Sequence, residues 1–350
     1  MNIILSSIGA LKNPKESARI TLLLLAQELQ KQGHDIRIIA KGKGKEELEG
    51  IHLYRTSALK IPVLLRRLHR EKKIDIVHCF SASPLFLLPH LGTWKVIHTL
   101  KSYSRTRLGR TGFGILRWAA AVTLPTKHFA SQLPFIKKVW IIPSPINLRK
   151  FFPQNKESLK KKYGYEHKKI ILYYGALWKN KGVEVLLRAV LQITEKNKNI
   201  KLLILPRYPQ IQPQQQLVQK LGIQQQVDFI TDSVAIEDYV NLADVVVLPY
   251  LNLLGTEGNP SCLLEAMACK TAVVTSDLPE LREIAEGCVL FAEPGNAVDL
   301  AKKMMEAFHL PSSTLEKAYH LSQRFADMNV AVGFLNVYKK VLDRLKFKDS

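Results

Sequence analysis

Short runs of β-branched and other apolar residues alternate along the chain with longer segments whose apolar positions recur every three or four residues. That is the pattern of parallel strands joined by helical crossovers. In the first half the spacing predicts strands at 3–5, 36–39, 74–78, 95–98, 121–124 and 139–142. A helix over about 18–32 separates the first two and stops at Gly33, a residue suited to the left-handed turn after a helix. The pattern then restarts, with strands expected at 169–174, 201–205, 227–230, 245–248, 271–275 and 289–291. Between the two sets, Phe151-Phe152-Pro153-Gln154-Asn155-Lys156 reads as a hinge. Phe334, Val337, Tyr338, Val341 and Leu345 mark a last amphipathic helix. The expected organisation is α/β: two Rossmann-like domains, 1–152 and 153–328, facing each other across a cleft. Segment 329–350 is expected to cross back to the first domain.

Composition narrows this little, but charge changes the picture. At 350 residues and 47% hydrophobic, the chain can build sizeable cores, and disordered, collagen-like and solenoid readings fall away. The four cysteines show no paired spacing for zinc or a disulfide framework, so they read as reduced core residues. Residues 1–166 carry 30 basic against 10 acidic side chains, whereas the rest is balanced at 21 against 20. From Ile76 to Lys156 there is no acid at all. Such a half attracts polyanions. No apolar stretch reaches the roughly 18 to 20 residues a membrane span needs, and the start is too short and uncharged for a signal peptide. A cytoplasmic protein is expected, able to sit peripherally on the inner face of a membrane.

Open parallel sheets bind ligands beyond the carboxyl ends of their strands. Past the strand ending at Leu248 runs Pro249-Tyr250-Leu251-Asn252-Leu253-Leu254-Gly255-Thr256-Glu257-Gly258-Asn259-Pro260-Ser261-Cys262-Leu263-Leu264-Glu265-Ala266-Met267-Ala268. A glycine-containing loop leads into a helix start at Ser261, where free N–H groups and the helix dipole favour phosphate. Ser261 could equally be a plain N-cap. Glu265, one turn in, can accept two hydrogen bonds from a diol such as ribose. Glu257 is placed to touch whatever group the phosphate carries.

Glu257, seven residues, then Glu265-Ala266-Met267-Ala268 resembles the E-x7-E motif of family-4 glycosyltransferases, retaining GT-B enzymes (glycosyl transferases group 1) that use nucleotide sugars. Tyr174-Gly175-Ala176-Leu177-Trp178-Lys179-Asn180-Lys181-Gly182 is similar to that family's strand, loop and "KG" helix. Further matches are Gln27 to Asp35, Asp75 to His78, Ile142-Pro143-Ser144 with Phe152, and Asp277 to Ile284, so the resemblance spans almost the whole chain in order. It implies a metal-independent transfer from a nucleotide-diphosphate sugar, with no further cofactor, to a glycan or lipid-linked acceptor, as in polysaccharide or glycolipid assembly. It also implies that Glu257 contacts the donor sugar, Lys181 neutralises the leaving diphosphate, and His98 hydrogen-bonds near the sugar. The nucleotide sugar would lie on Glu265, Gly258, Asn259, Pro260, Ser261, Cys262, Gly175 and Gly9. No carboxylate is well placed as an acceptor base, since Thr99 stands where many relatives have Asp; the leaving phosphate then takes the acceptor's proton.

Departures from the pattern matter too. The glycine pair expected at the first helix is Glu16-Ser17, and the arginine expected five residues before Lys181 is Ala176. Phosphate contacts then fall to Ser17, Lys179, Arg207 or Lys270. Segments 60–73 and 101–118 mix cationic and apolar residues, as interfacial segments do. Arg66, Arg67, Lys101, Arg105, Arg107, Arg110 and Arg117 would face the acceptor or an anionic membrane. His78 and His98 read equally as structural histidines. Three alternatives stand beside the transferase: a nucleotide-sugar epimerase of similar architecture, which the E-x7-E setting disfavours, a catalytically silent relative, prompted by the lost glycines and arginine, and a basic nucleic-acid binder. The nucleic-acid binder lacks any helix-turn-helix, zinc-finger or RRM signature, and no nucleic-acid partner is expected.

Overall fold

The computed structural model describes residues 1–7, 17–80, 92–101, 114 and 116–346. The chain divides into two compact units: 1–145 with 255–259 and 326–350, and 146–254 with 260–325.

The first unit holds β1 (Asn2–Ser6), β2 (Asp35–Lys41), β3 (Gly44–Leu48), β4 (Ile51–Thr56), β5 (Ile76–Cys79), β6 (Lys95–Thr99), β7 (Ala121–Leu124) and β8 (Val139–Ile141). They form one sheet in the order β3-β4-β2-β1-β5-β6-β7-β8. Every neighbouring pair is parallel except β3 with β4. The central strand β1 is buried along its length, which explains its unbroken apolar run: both faces of a parallel sheet are covered. The β3–β4 hairpin escapes hydrophobic patterning because β3 is polar and mostly exposed. It is closed by Glu49 and Gly50, both at positive φ, a two-residue turn whose twist matches paired strands.

The helix Asp327–Lys346 belongs to this unit. Its Val330, Phe334, Val337 and Tyr338 share a core with Ile3, Leu22, Leu25 and Ile38. The Tyr338 hydroxyl lies 2.6 Å from His78 Nδ1, and His78 Nε2 lies 2.6 Å from Thr99 Oγ1. His78 is therefore a satisfied interior histidine. Burial, with a smaller contribution from His98, drives its pKa down to about 3. Below about pH 6.5 the unfolded chain takes up a proton that the folded chain refuses, so His78 removes about 1.4 kcal/mol of stability per pH unit until its folded pKa is reached. Urea unfolding at pH 7 and pH 5 should show that loss in the wild type and a clearly smaller one in His78→Asn; equal losses would disprove the assignment.

The second unit holds β9 (Lys169–Gly175), β10 (Ile200–Pro206), β11 (Val227–Phe229), β12 (Val245–Leu248), β13 (Ala272–Ser276) and β14 (Leu290–Ala292). Their order is β11-β10-β9-β12-β13-β14, all parallel. Strand alternation splits β9 between two cores. Ile171 and Tyr173 pack with the helix Val183–Lys196, whereas Ile170, Leu172 and Tyr174 pack with the helix Ser261–Ala268. The chain order β9-β10-β11 runs outward on one side and β12-β13-β14 on the other. The reversal lies between β9 and β12, where such sheets bind ligands.

Candidate functional site

Three segments meet beyond the carboxyl ends of β9 and β12 in the second unit. After β9, Lys179–Lys181 makes a single tight turn closed by Gly182 at φ +70°, which also starts the helix Val183–Lys196. A Cβ at Gly182 would stand 1.7 Å from the carbonyl oxygen of Pro249, so only glycine lets this turn press against the segment after β12. Leu251 N–H donates to the Asn180 carbonyl at 2.9 Å, and Asn180 Nδ2 to the Leu254 carbonyl at 3.1 Å. These contacts set the half-buried Lys181, whose Nζ stands 4.8 Å from the centre of the Tyr250 ring.

Tyr250 carries the connection to the helix Ser261–Ala268. Its hydroxyl is 3.3 Å from Cys262 Sγ. The Tyr174 hydroxyl, from the other side, lies 3.0 Å from both the Cys262 carbonyl oxygen and Glu265 Oε2. Burial pushes the Glu265 carboxyl up; hydrogen bonds from Tyr174 and Ser261 and the charges of Arg207 and Lys150 pull it back. Burial likewise raises the Cys262 thiol, against the cationic pull of Lys181 and Arg207. Glu265, Lys181, Arg207, Cys262 and Tyr250 therefore act on one another within a single cluster. Arg207 enters it from the end of β10, its N–H bonded to the Gly175 carbonyl at 2.8 Å.

The N-cap of the helix is Pro260, which offers no capping side chain. The expectation that Ser261 caps the helix is corrected: it stands one residue inside and its hydroxyl is used on Glu265. Lys270 is corrected as a phosphate contact. It lies past the opposite end of that helix, at φ +55°, and pairs with Glu316 at 2.6 Å. Lys179 is exposed on the turn, and Trp178 stacks against Tyr208 at 6.2 Å beside Arg207.

Glu257, Gly258 and Asn259 belong to the first unit. Gly258 N–H donates to the Lys101 carbonyl at 2.9 Å, and a Cβ on Gly258 would lie 2.9 Å from the Pro125 ring. Asn259 is fully buried and its amide is committed to the Ser144 backbone: Oδ1 accepts from Ser144 N–H at 3.2 Å, and Nδ2 donates to its carbonyl at 3.4 Å. Glu257 faces Lys101, with Nζ to Oε1 at 3.8 Å. Lys101 was expected on the basic face; its ammonium is instead buried beside Glu257. His98 is fully buried on β6, next to Cys79 of β5.

On the exposed side, Arg66 and Arg67 project from the helix Ile61–Glu71, and Arg117 is exposed beside an exposed Trp118. That helix is less interfacial than its sequence reads, because Ile61, Leu65 and Leu68 are spent on a core with Ile4, Ile39 and Val77. Gly9, Arg105, Arg107 and Arg110 lie outside the described residues, as does the Ser17 side chain.

Tyr174, Tyr250 and Cys262 as links in the cluster, and the Lys101–Glu257 pair, were not foreseen. Strand alternation alone could have told that Tyr173 and Tyr174 face opposite ways; nothing local points to the other contacts.

Residues 155–324 match the family of glycosyl transferases group 1, and residues 18–150 match glycosyltransferase family 4. An uncharacterised glycosyltransferase of Methanocaldococcus jannaschii is 24% identical, over 92% of this chain and 93% of that one. The phosphatidylinositol N-acetylglucosaminyltransferase GPI3 subunit of Saccharomyces cerevisiae is 22% identical over 57% of this chain and 45% of its own. Among solved structures, sucrose-phosphate synthase from Thermosynechococcus elongatus superimposes with a TM-score of 0.84 at 19% identity, covering 98% of this chain and 100% of that one. Anabaena HepE in complex with UDP and glucose gives 0.78 at 14%, covering 99% of each. At these identities the structures speak for the fold, a GT-B architecture of two parallel-sheet domains.

Proposed function

This chain belongs to the family-4 and group 1 glycosyltransferases of GT-B fold, and from that premise we propose that it moves a sugar from a nucleotide diphosphate to a glycan or lipid-linked acceptor, with retention and without a metal ion. The observation that carries the reading is the second-unit cluster, in which Glu265 and Lys181 both act on Cys262, and Lys181 lies over the Tyr250 ring whose hydroxyl meets that same cysteine. A carboxylate for a ribose diol and a cation for a diphosphate stand in one place, at the topological reversal of the sheet.

In the proposed reaction the C1–O bond to the β-phosphate breaks and its electron pair goes to the phosphate oxygen. The acceptor oxygen bonds to C1 from the same face, and its proton passes to the departing phosphate. Positive character builds on the sugar, as in glycoside hydrolysis, and negative charge on the phosphate. Lys181, the uncapped N–H groups opening the Ser261–Ala268 helix, and Arg207 oppose that negative charge, a role that Lys179 and Ser17 can share. Fixed donors aimed at developing charge are the largest lever available. Glu265 holds the ribose hydroxyls; Gly175, Gly9, Pro260 and Cys262 border the nucleotide; Glu257, presented by Gly258 and Asn259, touches the donor sugar. UDP, GDP and ADP should be tested in turn by thermal shift in EDTA. One of them should raise Tm in the wild type, and Glu265→Ala should lose at least tenfold in affinity. Indifference of the wild type to all three would overturn the reading.

Among the described residues no helix is long and apolar enough to cross a membrane. The acceptor side is proposed to dock peripherally on anionic lipid through Arg66, Arg67 and Arg117 with Leu59, Val63 and Trp118, all exposed, joined by Arg105, Arg107 and Arg110. Basic residues near such a surface contribute about 1 kcal/mol each. Flotation with anionic vesicles should be strong at low salt and lost at high salt; no flotation at low salt rejects the docking.

A further inference from the structure

The Tyr174 hydroxyl stands 3.0 Å from two acceptors, Glu265 Oε2 and the Cys262 carbonyl oxygen, but has one proton to give. Burial, with the charge of Glu265, raises the phenol pKa, so that proton stays on. Cys262 lies in the helix Ser261–Ala268, where its carbonyl has the backbone N–H four residues on as a donor. Glu265 is the charged acceptor and makes the stronger bond. The proton therefore goes to Glu265. The tyrosine is not free to swing away, because it is buried at the end of β9 in one core with Leu172, Leu248 and Leu264. From one helical turn before Glu265, the Ser261 hydroxyl bonds the same carboxylate. An ionised carboxylate offers about four lone-pair sites. Among the described residues, Tyr174 and Ser261 are the side chains that hydrogen-bond it, and together they take two. Two are left, as many as a vicinal diol needs, on a residue that is half-buried rather than sealed in.

We propose that Tyr174 and Ser261 are positioning residues for ribose recognition: their hydroxyls fix the Glu265 carboxylate so that its remaining lone pairs meet the 2′- and 3′-hydroxyls, and the preference for ribose over a sugar lacking them depends on both. This rests on the transferase reading above, which puts the ribose on Glu265, and adds what holds Glu265 ready. A glutamate side chain left to itself loses much rotamer freedom when a ligand orders it. Donors set on a packed strand and on the helix's own first turn impose that order before the ligand arrives, which raises affinity by preorganisation. They also favour the charged carboxyl against the effect of burial, and the charged form is the one that accepts from both ribose hydroxyls.

The test takes whichever of UDP, GDP and ADP stabilises the wild type and compares its Kd with that of its 2′,3′-dideoxy counterpart, by calorimetry on the full chain. The dideoxy form keeps base and diphosphate but offers Glu265 no hydroxyl, so a general loosening of the site weakens both ligands alike. The wild type should prefer the ribonucleotide about a hundredfold, since two hydrogen bonds to a charged group are lost together. Glu265→Ala should abolish the preference. Tyr174→Phe, which keeps the ring in the core, should reduce it about tenfold, and Ser261→Ala about threefold or more, with dideoxy binding little changed in either. A cooperative melt without nucleotide checks folding, and Ser261→Ala keeps the proposal testable should Tyr174→Phe not fold. A preference that Glu265→Ala removes but that survives Tyr174→Phe or Ser261→Ala overturns the positioning role and leaves the transferase reading standing. Equal weakening of both ligands in Tyr174→Phe marks a merely structural tyrosine and overturns it too. A wild type that binds none of the three diphosphates, or whose binding shows no ribose preference or keeps it in Glu265→Ala, overturns the assignment of Glu265 in that reading, and the positioning role with it.

Discussion

On the proposed mechanism, Lys181→Met is expected to lower kcat about a thousandfold while changing nucleotide affinity far less. The lysine is held by a turn that its own N–H closes on the Trp178 carbonyl at 2.8 Å, and its ammonium is steadied over the Tyr250 ring. A cation just before a helix N-terminus opposes the helix dipole, a position that makes sense if an anion is to be met there. Charge on the leaving phosphate grows as the C1–O bond breaks, so the ammonium stabilises the transition state more than the bound donor. Removing one such donor typically costs a factor of about 10² to 10³, and methionine keeps the apolar stem over Tyr250. The measurement is steady-state transfer or donor hydrolysis, with nucleotide Kd by calorimetry. A kcat within tenfold of wild type would end the assignment of Lys181 to the leaving group.

The second large effect is on stability. Gly182→Ala places a Cβ 1.7 Å from a backbone oxygen at φ +70°, where a clash cannot be relieved by a side chain turning away. The Gly182 carbonyl also accepts the first helical bonds, from Val185 at 2.9 Å and Leu186 at 3.2 Å. Alanine must therefore part the turn from the Pro249 segment or unwind the helix start, at a cost of about 3–5 kcal/mol. Gly222→Ala is the control, with a similar φ of +68° and open space around the added atom. It should cost about 1 kcal/mol, from the left-handed backbone alone. Urea unfolding of both variants separates clash from backbone preference; equal losses would show that the Pro249 contact is unimportant. Because the same turn carries Lys181, a folded remnant of Gly182→Ala should also turn over slowly.

Much of the fold can be read directly along the chain. All twelve strands expected from apolar runs are present within a few residues, because a buried parallel strand must be apolar on both faces and leaves a continuous local signal. Of the two strands missed, β3 is the polar, mostly exposed edge strand, where solvent removes that signal, and β4 lies between β3 and β2 with only Ile51, Leu53 and Tyr54 buried, too broken an apolar run to stand out. The final helix was legible for the same reason as the strands, since its apolar stripe at Val330, Phe334, Val337 and Tyr338 is used against the first sheet.

The candidate site was legible only as residue types. Glu257 and Glu265 stand eight positions apart in one motif, which the resemblance assigns to the donor sugar and to the ribose. The fold divides them: Glu257 is built into the first unit beside Lys101, Glu265 into the second with Tyr174 and Arg207. Lys101, one cation among many in the basic half, became distinct only when folding buried it.

Strand and helix periods, the acidic pair, the KG turn and the uneven charge are properties of neighbouring residues, so the sequence by itself determined the two parallel sheets and the family. Tertiary structure alone decided which partner each functional group meets. Tyr174 with Glu265 and Lys101 with Glu257 join segments brought together by chain crossovers, and a contact across that separation imposes no period on the sequence between.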